Sequence, residues 1–195
     1  MIIRLAQSKD AETVAELHRT EIATGFLSSL PQRFLVRFYK ELITSDSSFC
    51  VVAEEQGGVV GFASGSTNPS SFSRSLLLHS FFFAVRVLLP QMLNPLRLKR
   101  MFESLLYPQK MKEGPKAELF SIAVGKEFQG KGAAPAMLHE FAKEMKRRGV
   151  SRFKLAVGRD LKRAIAFYEK SGFQLLSEVK VHGNAVSLVY VYDIS

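Results

Sequence analysis

The stretch Gln129-Gly130-Lys131-Gly132-Ala133-Ala134 decides how this chain is read. It follows an apolar run, Leu119-Phe120-Ser121-Ile122-Ala123-Val124, that reads as a strand, and it precedes a helical pattern from Pro135 to Arg148. A turn of small residues between strand and helix presents several backbone N–H groups in one direction. Together with the positive end of the helix dipole, those groups suit a phosphate. Glycine suits the turn because a side chain would hold phosphate away from the backbone. The stretch is not a Walker loop, since no Gly-Lys-Ser or Gly-Lys-Thr closes it. It is not a dinucleotide fingerprint either, because no acidic residue ends a second strand about 20 residues on. Read alone, the glycine signal is weak, and the alternative is a plain strand–helix turn that happens to contain glycines.

A second element lies downstream: Asp160-Leu161-Lys162-Arg163-Ala164-Ile165-Ala166-Phe167-Tyr168-Glu169-Lys170-Ser171-Gly172-Phe173. With both elements in view, the chain resembles the GNAT acyltransferase superfamily. Gln129, Gly132 and Ala134 match that family's acetyl-CoA loop, Gln/Arg-x-x-Gly-x-Gly/Ala, and Phe167 to Phe173 match its tyrosine helix. The resemblance is strong over residues 117 to 195 and extends, by strand and helix order, over 1 to 67. It implies a mixed α/β (α+β) fold with helices on both faces of a central sheet and a splayed central strand pair. It implies acetyl-CoA as co-substrate, with the loop residues Gln129, Gly130, Lys131, Gly132, Ala133 and Ala134 around the pyrophosphate. The pantetheine arm would pair like an extra strand with Ile122, Ala123 and Val124. Tyr168 would protonate the leaving sulfur, and its phenol, with a reference pKa of about 10, stays protonated at neutral pH. Glu118, where several relatives place a carboxylate, would be the general base; without the resemblance it reads equally well as an edge carboxylate facing solvent. Leu161 departs from the pattern, since it stands where the family often carries an Asn that contacts the pantetheine amide. Arg159 and Asp160 are nearby polar substitutes.

Composition narrows the remaining classes. With 195 residues, 47% hydrophobic and 23% charged, the chain suits one globular domain with a sizeable core. Arg4 and the polar residues after it break any leader-like apolar stretch, and the run from Leu76 to Leu89 is shorter than the roughly 20 residues a membrane span needs. Cys50, the single cysteine, sits in the apolar Phe49-Cys50-Val51-Val52-Ala53 and reads as a buried spectator in a reducing, cytoplasmic setting. No His/Cys/Asp cluster has metal-ligand spacing, and no metal is expected. A net charge of +9 suits an acidic ligand, which CoA itself is.

The periodicity predicts strands at Ile2–Leu5, Phe49–Ala53, Val59–Ala63, Ala117–Val124, Phe153–Val157, Phe173–Val181 and Ala185–Ile194. Hairpin turns are expected at Gln56-Gly57-Gly58 and His182-Gly183-Asn184. Helices are expected after a Ser8 or Asp10 cap, over Leu30–Ile43, over Pro135–Arg148, and from an Asp160 cap to Gly172.

One segment exceeds this plan. Residues 69 to 112 read as a helical insertion carrying seven basic residues, among them Arg97, Lys99 and Arg100, against one acid, Glu103. As a lid it would set the acceptor, favouring a small amine or amino sugar that carries phosphate. A protein N-terminus is the alternative acceptor, and a non-catalytic acyl-CoA sensor is the alternative class. The insertion could instead pair two subunits as a homodimer or lie on anionic lipid as a peripheral membrane contact. No nucleic acid is expected, since Phe72, Phe81, Phe82 and Phe83 read as core or interface rather than stacking platforms. His79, His139 and His182 are the other candidate bases.

Overall fold

The computed structural model describes residues 1–22, 27–76, 78, 114–180 and 186–194. The turn at His182-Gly183-Asn184, His79, and the insertion from 79 to 112, with Phe81, Phe82, Phe83, Arg97, Lys99 and Arg100, lie outside them.

Among the described residues seven strands form one sheet in the order β1-β2-β3-β4-β5-β7-β6. They are β1 (Ile2–Leu5), β2 (Ser48–Glu55), β3 (Gly58–Ser66), β4 (Glu118–Val124), β5 (Arg152–Gly158), β6 (Gln174–Lys180) and β7 (Val186–Asp193). Only β4 and β5 run parallel; every other neighbouring pair is antiparallel. The β2–β3 hairpin turns on Gln56 and Gly57, both at positive φ, which is the geometry that matches the strands' twist.

Helices cover both faces. On one, α1 (Ala11–Glu21) and α2 (Gln32–Thr44) bury Val14, Leu35, Tyr39 and Leu42 against Val52 and Phe62. The helical stretch at 69–76 joins this layer through Phe72, whose ring meets those of Phe38 and Phe120. On the other, α3 (Ala133–Arg147) buries Met137, Phe141 and Met145, and α4 (Lys162–Lys170) adds Tyr168. Fully burying one such side chain contributes about 1.5–3 kcal/mol, so these two layers hold the sheet. Asp10 occupies the cap position of α1 without capping it, because its carboxylate accepts from the Gln7 N–H at 2.7 Å and pairs with Arg4. The expected Asp160 cap of α4 is also corrected. Leu161 takes the cap position, its carbonyl accepting from the Ile165 N–H, and no side chain caps the helix.

Two features of β4 shape the centre of the sheet. The first is a bulge. Gly61 to Ser64 pair with Val124 to Ser121, then Gly65 pairs with Leu119, so β4 carries one residue more than β3 across this step. The bulge flips the alternation: Leu119 and Val124, five residues apart, both face the α3 layer. Gly65 permits it, since a Cβ there would lie 2.3 Å from the Glu118 carbonyl oxygen. The second feature is separation. Strands β4 and β5 share one register pair, Glu118 with Lys154, and then diverge.

Candidate active site

The divergence leaves one edge of β4 open, and its backbone orientation follows from the pairing. The Gly125 N–H donates to the Val60 carbonyl, so the next hydrogen-bonded position along the antiparallel ladder is Ala123. Ile122 and Val124 therefore turn their N–H and C=O groups to the open edge. Of the three residues expected to meet the pantetheine arm, Ile122 and Val124 present backbone groups there, whereas Ala123 spends its own on β3. At the root of the opening the Lys154 N–H closes the gap by donating to the Ala117 carbonyl at 2.9 Å.

Beyond the open edge lies the glycine-containing turn. Gln129 anchors it: its side-chain amide donates to the Val124 carbonyl at 3.0 Å and reaches Glu21 of α1 at 3.5 Å. The Gln129 side chain thus braces the turn against β4 and α1. Lys131 extends over the Phe128 ring at 5.3 Å. Gly130 and Gly132 both have positive φ, and a Cβ on either would project into space with nothing within 4 Å. Gly132 is the cap residue of α3; no side chain caps that helix and no acid sits in its first turn. The N–H groups of Ala133 and Ala134 therefore lack intrahelical acceptors, and Pro135 carries none. This open cradle of N–H donors at a helix start fits a pyrophosphate.

The two expected catalytic side chains lie on opposite faces of the sheet. Ala117 and Leu119 belong to the α3 layer, so Glu118 between them points to the α1 and α2 side. It is not a solvent-facing edge carboxylate: burial pushes its pKa up to about 7, against the pull of the Lys154 charge. Half of such a group is ionised near neutral pH, which suits a general base. Tyr168 lies in the α3 layer, 9% exposed, between the rings of Phe167 and Phe173. Burial pushes its phenol up to about 12, so it carries its proton at neutral pH.

His139 is exposed on α3. Arg159 pairs with Glu178 of β6. Cys50 is buried and its thiol is pushed up by burial. Among the described residues no group of His, Cys, Asp and Glu is placed to hold a metal, and no helix is long and apolar enough to cross a membrane.

Two polar residues escaped the sequence reading. His18 of α1 is 2% exposed, stacks on Phe62, and has Nδ1 2.6 Å from the Tyr39 hydroxyl. That hydroxyl lies beside Ser64 and Ser121, the pair next to the bulge. The signal was a polar residue on the apolar stripe of Ala11, Val14 and Ala15. Lys154 is 6% exposed inside the apolar run Phe153 to Val157, where a lone cation is itself a signal.

The profile of the acetyltransferase (GNAT) family matches residues 13–173. No curated protein matches the chain by sequence. Solved structures share its fold at low identity. An acetyltransferase of the GNAT family from Streptococcus pneumoniae is 18% identical with a TM-score of 0.61, covering 100% of this chain and 99% of its own. The ribosomal-protein-S18-alanine N-acetyltransferase from Escherichia coli is 16% identical with a TM-score of 0.62, covering 100% and 94%. The yncA protein from Salmonella typhimurium, solved with its cofactor acetyl-CoA, is 16% identical with a TM-score of 0.61, covering 100% and 94%.

Proposed function

Because the chain belongs to the acetyltransferase (GNAT) family, we propose that it moves the acetyl group of acetyl-CoA to a primary amine by direct attack. The observation that carries this reading is the opening beside β4, with Glu118 on one face of the sheet and Tyr168 on the other. Acetyl-CoA is the acyl donor and supplies an activated thioester. The N–H groups of Gly130 to Ala134 hold its pyrophosphate, with Lys131 adding charge. The backbone edge at Ile122 and Val124 aligns the pantetheine arm as a strand would, and an N–H on that edge is the oxyanion donor. Glu118 takes the proton that the acceptor amine must lose. Tyr168, already protonated, gives a proton to the departing sulfur from the opposite side. Two faces suit the chemistry, since nucleophile and leaving group need their proton partners on separate sides.

The acceptor we favour is a small amine or amino sugar bearing phosphate. The excess of basic residues between 69 and 112 supports an anionic group on it. A binding-only role as an acyl-CoA sensor draws support from Leu161, which is 41% exposed at the head of α4 and has no side-chain hydrogen bond to offer.

Thiol release from acetyl-CoA, measured over amines, amino sugars and peptides, tests the reading. With the best acceptor, Tyr168→Phe and Glu118→Gln should each lower turnover by about 10²–10⁴-fold while acetyl-CoA still binds. Binding without turnover on any amine would select the sensor. Turnover indifferent to both substitutions would reject the assigned roles.

A further inference from the structure

We propose that Lys154 is a positioning residue for the candidate base, a buried lysine set in register with Glu118 on the same face of the sheet at the one place where β4 and β5 join. The proposal rests on the reading of Glu118 as the base and adds the residue whose charge supports this role at a half-buried place.

The geometry singles out this pair. Glu118 and Lys154 form the one register pair that joins β4 to β5. Neighbouring strands lie about 4.8 Å apart, and residues in register on parallel strands project to the same face. Phe153 and Leu155 both enter the α3 layer, so Lys154 points, like Glu118, to the opposite one. The pair therefore sits at the root of the opening, where β4 and β5 part. Lys154 is 6% exposed, and its long stem passes close to Gly114.

Burial drives the two groups in opposite directions, and each partner opposes the drift. The carboxyl is raised by burial and lowered by the lysine charge. The ammonium is lowered by burial and raised by the carboxylate. Strand β3 offers only uncharged Ser66 and Gly65 opposite this end of β4. Helix α1 meets β4 at its far end, where Leu17 approaches Gly125. Among the described residues, Lys154 is the one charge acting on the Glu118 carboxyl. Among the described residues, removing it leaves only desolvation, which raises the carboxyl further.

The titration that tests the charge pair needs no acceptor. The full chain is labelled with ¹³C at glutamate side chains, Glu118 is assigned by loss of its signal in Glu118→Gln, and its carboxyl is titrated by NMR. The wild-type midpoint should fall near 7. Lys154→Met should raise it, by about 1 unit or more if the ammonium stands within a few ångströms of the carboxyl. Lys154→Arg should restore it. If Lys154→Met does not fold, Lys154→Gln gives the same readout. A midpoint unmoved by loss of the charge overturns the proposal. The acidic limb of kcat/KM with the best acceptor separates the two readings. A midpoint that shifts while turnover ignores Glu118→Gln removes Glu118 as base but leaves the charge pair standing. A limb abolished by Glu118→Gln yet unmoved in Lys154→Met removes the role of Lys154 alone.

Discussion

The two edges of β4 are built differently. Toward β3 it is zipped along six register pairs; toward β5 it is joined at one. The zipped edge satisfies its backbone groups within the protein. Along the open edge the Lys154 N–H and the Gln129 side chain take up the Ala117 and Val124 carbonyls, while the N–H groups of Ile122 and Val124 face the gap with no strand beside them among the described residues, which invites a partner strand. Here the expected partner is an extended, amide-bearing ligand. The bulge belongs to the same design, since it changes which backbone groups face the gap without unzipping the other side. A binding slot in a sheet thus needs one strand rigid on one side and deprived on the other.

The largest effect should come from removing the anchor at the end of the open edge. If the edge works only when a ligand is held by the turn beyond it, Gly132→Glu should abolish its use. A carboxylate would project toward the expected pyrophosphate, and a residue other than glycine at φ +83° is strained. Affinity for CoA should fall by about a thousandfold, or about 4 kcal/mol. Calorimetry on the folded variant measures it; unchanged affinity would refute the phosphate assignment.

What could be read from the sequence divides along the same line. The strand, turn and helix from Ala117 to Arg148 and the helix bearing Tyr168 were legible because their signals are local: apolar periodicity, small residues in the turn, Gly172 as a stop. The bulge was not. Phe120 and Ser121 look like ordinary strand residues, and an extra residue shows only against the partner strand. Ala123 was grouped with Ile122 and Val124 through the resemblance, whereas the pairing turns its backbone to β3. The partnership of Glu118 with Lys154 is a register across 36 positions of chain, which no local pattern encodes. Asp160 looked like a cap by composition, but the helix starts one residue later.

The zipped edge has its own support, and pH should expose it. Ser64 and Ser121 face Tyr39, which His18 holds from α1. Burial lowers the His18 pKa from 6.5 to about 4. The folded protein keeps this ring neutral while the unfolded chain takes up the proton, so stability is full above pH 6.5 and is lost as the pH falls toward 4. The loss attributable to this group is about 3 kcal/mol. Urea unfolding across that range should show it in the wild type and largely lose it in His18→Gln. Identical pH profiles would mean that His18 does not underpin the bulge face.

The smallest expected effect reads the two edges directly. Amides of one strand should differ by position: the Ala123 N–H lies in the β3 ladder, while those of Ile122 and Val124 face the opening. In the free protein, hydrogen exchange at Ile122 and Val124 should outpace exchange at Ala123, since exchange from an unpaired amide needs no local opening. Saturating acetyl-CoA should then slow Ile122 and Val124 by at least about tenfold, equivalent to about 1.4 kcal/mol, and leave Ala123 unchanged. The alternation follows from the Gly125 to Val60 hydrogen bond, so the experiment also tests the register. Equal protection of all three amides in the free protein would mean that β5 closes on β4 in solution. Slowing confined to Ala123 would place the bulge elsewhere. Unequal exchange that acetyl-CoA does not alter would keep the open edge but deny that the pantetheine arm pairs with it.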